Sequence, residues 1–381
     1  MKNKFVVVTH AVLSDTKDVA GPAHNIVSYL DKKGHDYLFI RHSLFKGDKT
    51  LIQLKKDGKS KEIEIDSNVS FIEPLNRVIE GIQTIKIVNK YLKKEKPVYV
   101  GIDPLNSLWG LILKKTGRVS KLISFTVDYS PKRFNNSVLN KIYHFIDKIT
   151  LKLSDQAWVV SSRIFNLRIS QGKQKENLFL VPNAPAVREI KKLINKNPNS
   201  QNLITIGTIS KALDFGLIVD AMQTLIKKHS QLKLTIIGQG EGMNDLKKDI
   251  ESRKLSKNII LAGLKTHKEV FEILSTQGIG IAIYTDNAPW SYYSDSMKAR
   301  DYLALGLPVV ISGNIGTAEE IKTNNAGIYI KKDKKELAQA IEKLILDRKF
   351  YMTIRENALR MSEDTDIEKT LDNAFRKGDL A

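Results

Sequence analysis

No cysteine occurs anywhere in the 381 residues. Disulfides, thiolate metal sites and thiol nucleophiles are therefore excluded, and nothing in the chain calls for an oxidising compartment. No apolar run approaches the roughly 18 to 20 residues needed to cross a bilayer. The stretch from Met1 to Val8 is charged, then apolar for only a few residues before His10 and Asp15. It reads as a first buried strand and not as a signal peptide, and a cytoplasmic chain is expected. No cluster of histidines or acids has metal-ligand spacing. The acid pair in Asp364-Thr-Asp366 falls in the helical C-terminal region, where N-capping of the last helix by Asp364 or Thr365 explains it better. No metal and no cofactor are expected.

Positive charge, by contrast, is plentiful. The formal net charge is +19, and residues 1–190 carry 32 Lys/Arg against 18 Asp/Glu, while the remainder carries 29 against 24. A basic half suits an anionic partner, and it is equally what a solvated lysine-rich surface looks like. No nucleic-acid recognition module or basic–aromatic run accompanies the charge, so nucleic acid is not expected. An anionic membrane surface stays an expected partner of the basic N-terminal half.

The length and the 42% hydrophobic content fit two domains better than one core. Short apolar runs alternate with amphipathic stretches, the βα signature of parallel sheets covered by helices. Phe5–Thr9, Tyr37–Ile40, Val98–Ile102, Leu122–Thr126, Trp158–Ser161 and Leu178–Val181 read as strands of a first half. Leu51–Ile65 alternates charge with apolar residues and reads as a hairpin or edge strand. Residues 191–201 are polar, contain Pro198 and are the best linker candidate. The pattern restarts at Leu203–Ile206 and runs through Leu232–Ile237, Ile259–Ala262, Gly280–Tyr284, Val309–Ser312 and Gly327–Ile330. Lys335–Lys377 reads as two helices broken near Ser362–Asp366. The expected division is a domain over 1–190, a linker over 191–201, a domain over 202–355 and a C-terminal helical segment over 356–381 that crosses back to the first domain.

The densest constellation is Ser294-Asp-Ser-Met-Lys298-Ala-Arg-Asp301-Tyr-Leu-Ala-Leu-Gly306-Leu-Pro308-Val-Val. Ser294 to Ser296 can cap a helix that starts near Met297, and a helix N-terminus offers N–H groups and a positive dipole end to a diphosphate. Lys298 and Asp301 are three residues apart and share one face. A cation and an acid there fit a phosphate and a ribose hydroxyl; they also fit a surface ion pair on a capped amphipathic helix. The run Gly238-Gln-Gly240-Glu-Gly242 lacks the spacing of a dinucleotide fingerprint, and no acid stands near position 257, so a dehydrogenase is rejected.

This segment resembles the donor-binding motif of retaining glycosyltransferases of the GT-B fold, broadly glycosyltransferase family 4, many of which show Ser-x-x-x-Lys-x-x-Glu-Tyr-x-Ala-x-Gly-x-Pro-Val-Val. Ser294, Lys298, Tyr302, Ala304, Gly306, Pro308, Val309 and Val310 match, and Asp301 replaces the usual Glu. The resemblance implies an α/β GT-B fold, two Rossmann-like domains facing each other across a cleft. It implies Lys298 on the donor diphosphate, Asp301 on the ribose and Ser296 beside them. Other members carry a further Glu eight residues earlier that touches the transferred sugar; Tyr293 stands there, with Asp295 as the available substitute. Ile204-Thr-Ile-Gly207-Thr-Ile-Ser-Lys211 resembles the family's Gly-Arg-Leu turn, which offers Lys211 as a second phosphate ligand or leaves it a surface lysine of a βα loop. Phe215-Gly216 replaces the usual Lys-Gly. Leu234-Thr-Ile-Ile-Gly238-Gln-Gly240 resembles a further strand and turn of the donor site. Leu264-Lys-Thr-His267 would edge the nucleobase.

The first half matches less tightly, through Gly21-Pro-Ala-His24 and Lys33-Gly34-His35. Gly21 would let backbone approach donor phosphate or acceptor. His24 is either a site residue or a helix-surface histidine. Asp128, in Phe125-Thr-Val-Asp128-Tyr-Ser-Pro-Lys132-Arg133, ends a strand and would orient the acceptor hydroxyl, or merely caps a turn. Trp290, Tyr292 and Tyr293 suggest stacking on a sugar ring or loop packing. The implied activity is transfer of a sugar from a UDP- or GDP-sugar donor to a glycan or lipid-linked acceptor. A nucleotide-sugar epimerase of the same fold and a degenerate, non-catalytic nucleotide-sugar binder are the alternatives.

Overall fold

The computed structural model describes residues 3–11, 21–44, 49–66, 73–210, 212–285 and 291–380. The chain divides into two compact units: Met1–Pro182 with Glu368–Ala381, and Asn183–Ile367.

In the first unit the elements run β1 (Phe5–Ala11), α1 (Pro22–Lys32), β2 (Tyr37–Ser43), β3 (Lys49–Lys56), β4 (Lys59–Asp66), α2 (Glu73–Tyr91), β5 (Val98–Ile102), α3 (Asp103–Lys115), β6 (Lys121–Thr126), α4 (Ser137–Leu153), β7 (Gln156–Val159), α5 (Ser162–Ser170) and β8 (Leu178–Leu180). The eight strands form one sheet in the order β4-β3-β2-β1-β5-β6-β7-β8. β1, β2 and β5 are buried along nearly their whole length, as parallel strands covered on both faces must be. β3 and β4 pair antiparallel as a hairpin whose turn, Asp57-Gly58, takes positive φ at both residues. The edge strand β4 alternates exposed Lys59, Lys61, Glu62 and Glu64 with half-buried Ile63 and Ile65, which discourages edge-to-edge pairing.

The second unit contains α6 (Val187–Ile190), β9 (Asn202–Ile206), α7 (Phe215–Leu225), β10 (Lys233–Ile237), α8 (Met243–Ser252), β11 (Ile259–Gly263), α9 (His267–Leu274), β12 (Ile279–Ile283), α10 (Met297–Ala304), β13 (Val309–Ser312), α11 (Gly316–Thr323), β14 (Gly327–Tyr329), α12 (Lys334–Leu346) and α13 (Arg348–Asp364). Its six strands are all parallel, in the order β11-β10-β9-β12-β13-β14. Strand order reverses between β9 and β12. In open parallel sheets, the carboxyl ends of the strands at such a reversal are where ligands bind.

The last helix, α14 (Ile367–Lys377), packs in the first unit. The Phe375 ring sits 5.4 Å from that of Phe5, 4.8 Å from Tyr29 and 5.9 Å from Trp158. Tyr29 donates to Asp372 at 2.6 Å.

Three boundaries differ from expectation. The division falls at Pro182/Asn183, and residues 191–201 are pinned to the second unit. Arg355 donates to the Asn195 carbonyl at 2.6 Å, and Arg348 donates to that of Pro198 at 3.3 Å. A polar, proline-containing stretch is therefore tied down by arginines 150 or more residues away, a contact that local composition does not reveal. The C-terminal region holds three helices instead of two, because Asp347 caps α13 by accepting from Phe350 N at 2.9 Å. It also returns to the first unit only from Glu368, not from 356. Thr365 ends α13, its hydroxyl donating to Met361 O at 3.0 Å, and Asp366 accepts from Val187 N at 2.7 Å.

Candidate active site

Two glycine turns lie at the carboxyl ends of β9 and β10. Gly207 has φ +153° and Gly238 has φ +149°. A Cβ on Gly238 would fall 1.9 Å from the Gly207 carbonyl oxygen, and one on Gly240 would fall 2.4 Å from that of Ile209. The turns are laced together by Gly207 N donating to Ile237 O (2.9 Å), Ile209 N to Gln239 O (3.1 Å) and Gly242 N to Ile209 O (3.1 Å). The Gly238-Gln-Gly240-Glu-Gly242 run is thus explained by close approach of two backbones.

α10 begins at the foot of β12. Ser296 caps it by accepting from Ala299 N at 3.2 Å, and the Tyr284 hydroxyl, one residue past β12, bonds the same Ser296 Oγ at 2.5 Å. The Lys298 ammonium then projects toward the reversal of strand order. It lies 5.0 Å from the centre of the Tyr284 ring, and a Cβ added to Gly207 would sit 2.7 Å from its Nζ. Ends of β9, β12 and α10 therefore converge on one cation.

That cation has no carboxylate partner among the described residues. Lys298 is half-buried, and burial alone pushes its pKa down to about 7. Asp301, one turn on, is half-buried as well, and burial pushes it up to about 8. The expected surface Lys–Asp pair is not what the structure holds. Instead two groups lie on one helix face, each destabilised in its charged form and without an ionic or hydrogen-bonding partner among the described residues. An anion at Lys298 and a hydroxyl at Asp301 would supply what each lacks.

Asp295 has a different role from the expected one. Its side chain is fully buried and Oδ1 accepts from Arg300 Nε (3.0 Å) and Nη2 (2.8 Å) and from Thr317 Oγ1 (2.8 Å). Oδ2 accepts from Asn183 N at 2.8 Å. Arg300 also reaches Glu320 at 2.5 Å, and Thr317 accepts from Ser296 N at 2.8 Å. Asp295 therefore ties down the start of α10 and is no substitute for the sugar-facing acid. Sequence reasoning passed over Arg300, Thr317 and Glu320; the one local signal was a buried-type position for Arg300 on the apolar face of α10.

Other residues singled out from the sequence fall as follows. Lys211 and Trp290 lie outside the described residues. Tyr302 is buried, and its hydroxyl accepts from Ile206 N at 2.8 Å, locking α10 to β9. Leu264 is 72% exposed at the end of β11 and free to meet a flat ring. Tyr292 and Tyr293 pack edge-to-face on each other, 4.8 Å between centres. In the first unit Gly21 precedes α1 with open space where a Cβ would be. His24 Nδ1 accepts from Gly21 N at 3.0 Å, which caps the helix and puts the neutral ring's proton on Nε2. Nδ1 is therefore engaged in capping the turn before α1. Asp128 sits past β6 with Oδ2 on Arg133 at 2.5 Å, while its Oδ1 is enclosed without a partner. Asp103, which sequence reasoning missed, opens α3 past β5 with φ +70° and an enclosed, unpartnered Oδ1; burial raises it to about 7.

A groove of about 770 Å³ opens between the loops after β9 and β10. Among the described residues Asp214, Glu241, Asp245 and Asp249 line it, and Lys298 is not part of its wall. Among the described residues no group of three or more His, Asp or Glu is placed to hold a metal ion, and no helix is long and apolar enough to cross a membrane.

Residues 186–361 match the family described as Glycosyl transferases group 1, a match that lies within the second unit. That segment is similar to this family, and the two Rossmann-like sheets are those of the GT-B fold. The chain is 21% identical over 253 residues to the poly(glycerol-phosphate) alpha-glucosyltransferase of Bacillus subtilis (strain 168), covering 63% of this chain and 36% of that protein. It is 22% identical over 238 residues to the alpha-monoglucosyldiacylglycerol synthase of Streptococcus pneumoniae (strain ATCC BAA-255 / R6), covering 60% and 52%. The alignments thus span about a third and about half of those relatives. Among solved structures, an E. coli chain described as trehalose-6-phosphate bound with UDP-2-fluoro glucose superimposes with a TM-score of 0.70 and 15% identity over 99% of both chains. At that identity the likeness shows the fold alone.

Proposed function

We propose that this chain moves a sugar from a nucleoside-diphosphate donor, a UDP- or GDP-sugar, to an acceptor hydroxyl with retention at the anomeric carbon. The observation that carries the reading is the Lys298 ammonium beside Gly207 and Tyr284, with Asp301 one turn along the same helix and no ion-pair partner for either among the described residues. As the glycosidic bond to the diphosphate breaks, negative charge grows on the leaving phosphate. Lys298 and the N-terminal end of α10 meet that charge, so the chemistry proceeds without a metal. Asp301 holds the ribose hydroxyls and Leu264 edges the base. Lys211 is a second phosphate ligand. Asp128, held by Arg133, orients the acceptor hydroxyl.

The acceptor is a glycan or lipid-linked sugar or polyol, in cell-surface polysaccharide or glycolipid synthesis, and the chain works in the cytoplasm at the inner face of the membrane. Support comes from the relatives, whose names specify a glycerol-phosphate polymer and a diacylglycerol glycolipid. The test is a nucleotide-sugar panel read by thermal shift, followed by nucleotide release with and without acceptor. Stabilisation by UDP-sugars that disappears in Lys298→Ala is expected, with acceptor-dependent release of UDP. Absence of stabilisation by every nucleotide sugar would sink the reading; binding and 2-epimerisation without acceptor would favour an epimerase.

A further inference from the structure

α4 carries large apolar residues on its outward face, as α2 does in part with Leu75, Val78 and Ile82. Helices that cover a sheet turn their large apolar residues inward. α4 keeps Tyr143, Thr150 and Leu151 buried, yet leaves Val138 61%, Ile142 50%, Phe145 64% and Leu153 41% exposed. With half-buried Ile149 between them, these residues recur at spacings of four, three, four and four, so they form a single stripe along the helix. Lys141, Lys148 and Lys152 are exposed along one border of that stripe, and Lys132 is exposed just before the helix. Residues 131–153 contain a single acid, Asp147. It is buried on the opposite face, where Arg168 binds both its oxygens at 2.7 and 2.8 Å. The outward face is therefore apolar in the middle, cationic at the border and free of negative charge.

We propose that α4 is an interfacial docking helix whose partner is the surface of an anionic lipid bilayer. Exposed large apolar side chains in a row at a cationic margin match the two attractions such a surface offers: the acyl boundary for the rings and branched chains, the phosphates for the ammonium groups. A second copy of this chain fits less well. Isologous pairing through the stripe would bring two lysine borders together, with no acid on either face to offset them. At 17 residues the helix is about 25 Å long, enough to lie in the interface but, with its lysines, not to span it. The proposal rests on the reading that the chain works at a membrane; it does not rest on the donor chemistry.

The experiment uses the full chain and vesicles of phosphatidylcholine with or without phosphatidylglycerol, read by co-sedimentation. Wild type is expected to pellet with the anionic vesicles, and high salt to release most of it. The triple change Lys141→Gln, Lys148→Gln, Lys152→Gln is expected to weaken binding roughly a hundredfold, and Ile142→Ser with Phe145→Ser at least about tenfold. All five side chains are exposed, so melting temperatures should be unchanged. Phe145→Trp supplies an independent reading: its emission should shift to the blue on anionic vesicles. Equal pelleting of wild type and variants, no blue shift, or a salt-insensitive dimer that Phe145→Ser dissolves would each overturn the proposal. Thermal stabilisation by UDP is measured in parallel. If it persists while vesicle binding fails, docking alone is wrong; if it is absent from wild type, the transferase reading falls instead.

Discussion

Lys298 and Tyr284 hold each other in place from opposite ends of one loop. The ammonium lies 5.0 Å from the ring centre, while the ring's hydroxyl bonds Ser296, the N-cap of the helix that carries the lysine. The cation is thus aimed before any ligand arrives, and the helix N-terminus is fixed beside it. A preoriented, poorly solvated ammonium loses little freedom when it meets a phosphate.

Replacing Lys298 by Met keeps the bulk of the side chain and removes its charge. UDP affinity should fall by about 1.5–3 kcal/mol, the range for a hydrogen bond to a charged group. Gly207→Ala should reproduce much of that loss, since its Cβ would crowd Nζ at 2.7 Å and Leu213 Cδ1 at 2.6 Å in a backbone conformation that disfavours side chains. The two variants should separate in the ligand-free protein. Lys298→Met relieves a half-buried charge with no carboxylate partner among the described residues and should melt no lower than wild type, whereas Gly207→Ala should melt lower. Calorimetric titration with UDP, alongside melting curves, checks both.

The pH dependence of stability should carry two opposing slopes from the same helix. Asp301 is held up at about 8 by burial, against roughly 3.9 in an unfolded chain, so the folded state binds more protons between those values. Its contribution is fully present below the lower value and is lost as pH rises through about 8. Lys298 is held down at about 7, against roughly 10.4 unfolded, so the unfolded state binds more protons between those values and stability rises with pH across them. Asp301→Asn should flatten the acid-to-neutral decline, and Lys298→Met the alkaline rise. UDP binding near pH 8 should take up protons at Lys298, offset in part by release from Asp301, so the net uptake, visible as a buffer-dependent heat, should grow in Asp301→Asn. Melting curves over pH that are superimposable for the three proteins would contradict both assignments.

Asp295 should behave as a positioning residue. Asp295→Ala leaves Arg300 buried with only Glu320 and strands the Asn183 N–H, so a loss of about 3–5 kcal/mol is expected. Asp295→Asn keeps the shape and should recover part of it. If the residue touched the sugar instead, kcat would collapse in the Asn variant at unchanged melting temperature. The expected pattern is the reverse: melting falls in both variants, and residual activity tracks the folded fraction.

How far the sequence could be read depends on the range of the interactions involved. Strands such as Val98–Ile102 and Val309–Ser312 were legible to the residue, because a strand covered on both faces is a continuous apolar run. The placement of Lys298 was legible through its motif. Its lack of a partner was not: sequence spacing put it on one face with Asp301 and allowed an ion pair as readily as a binding site. Asp295 was misread for a related reason. Its partners Asn183 and Thr317, and the Glu320 that shares Arg300 with it, come from distant segments, and only the folded chain brings them together. His24 shows the converse, since its bond to Gly21 spans only three residues and lies within reach of a local capping pattern.

The glycines provide a contrast that sequence alone would rank wrongly. Gly21 and Gly240 both stand in loops before a helix and both were assigned to the donor. At Gly21 a Cβ meets nothing within 4 Å, and the backbone is extended at φ −150°, a conformation any residue adopts. Gly21→Ala should therefore leave stability within about 0.5 kcal/mol of wild type. At Gly240 a Cβ would sit 2.4 Å from the Ile209 carbonyl oxygen, a backbone atom that can move only by parting the two loops. Gly240→Ala should cost about 1–3 kcal/mol by overpacking. The strain should also reach the donor, because Ile209 and Gly207 belong to the same loop and Gly207 borders the Lys298 ammonium. UDP affinity should thus fall in Gly240→Ala and not in Gly21→Ala. If Gly21→Ala instead abolished UDP binding at unchanged melting temperature, Gly21 would be a direct backbone contact to the donor, and the site would extend into the first unit.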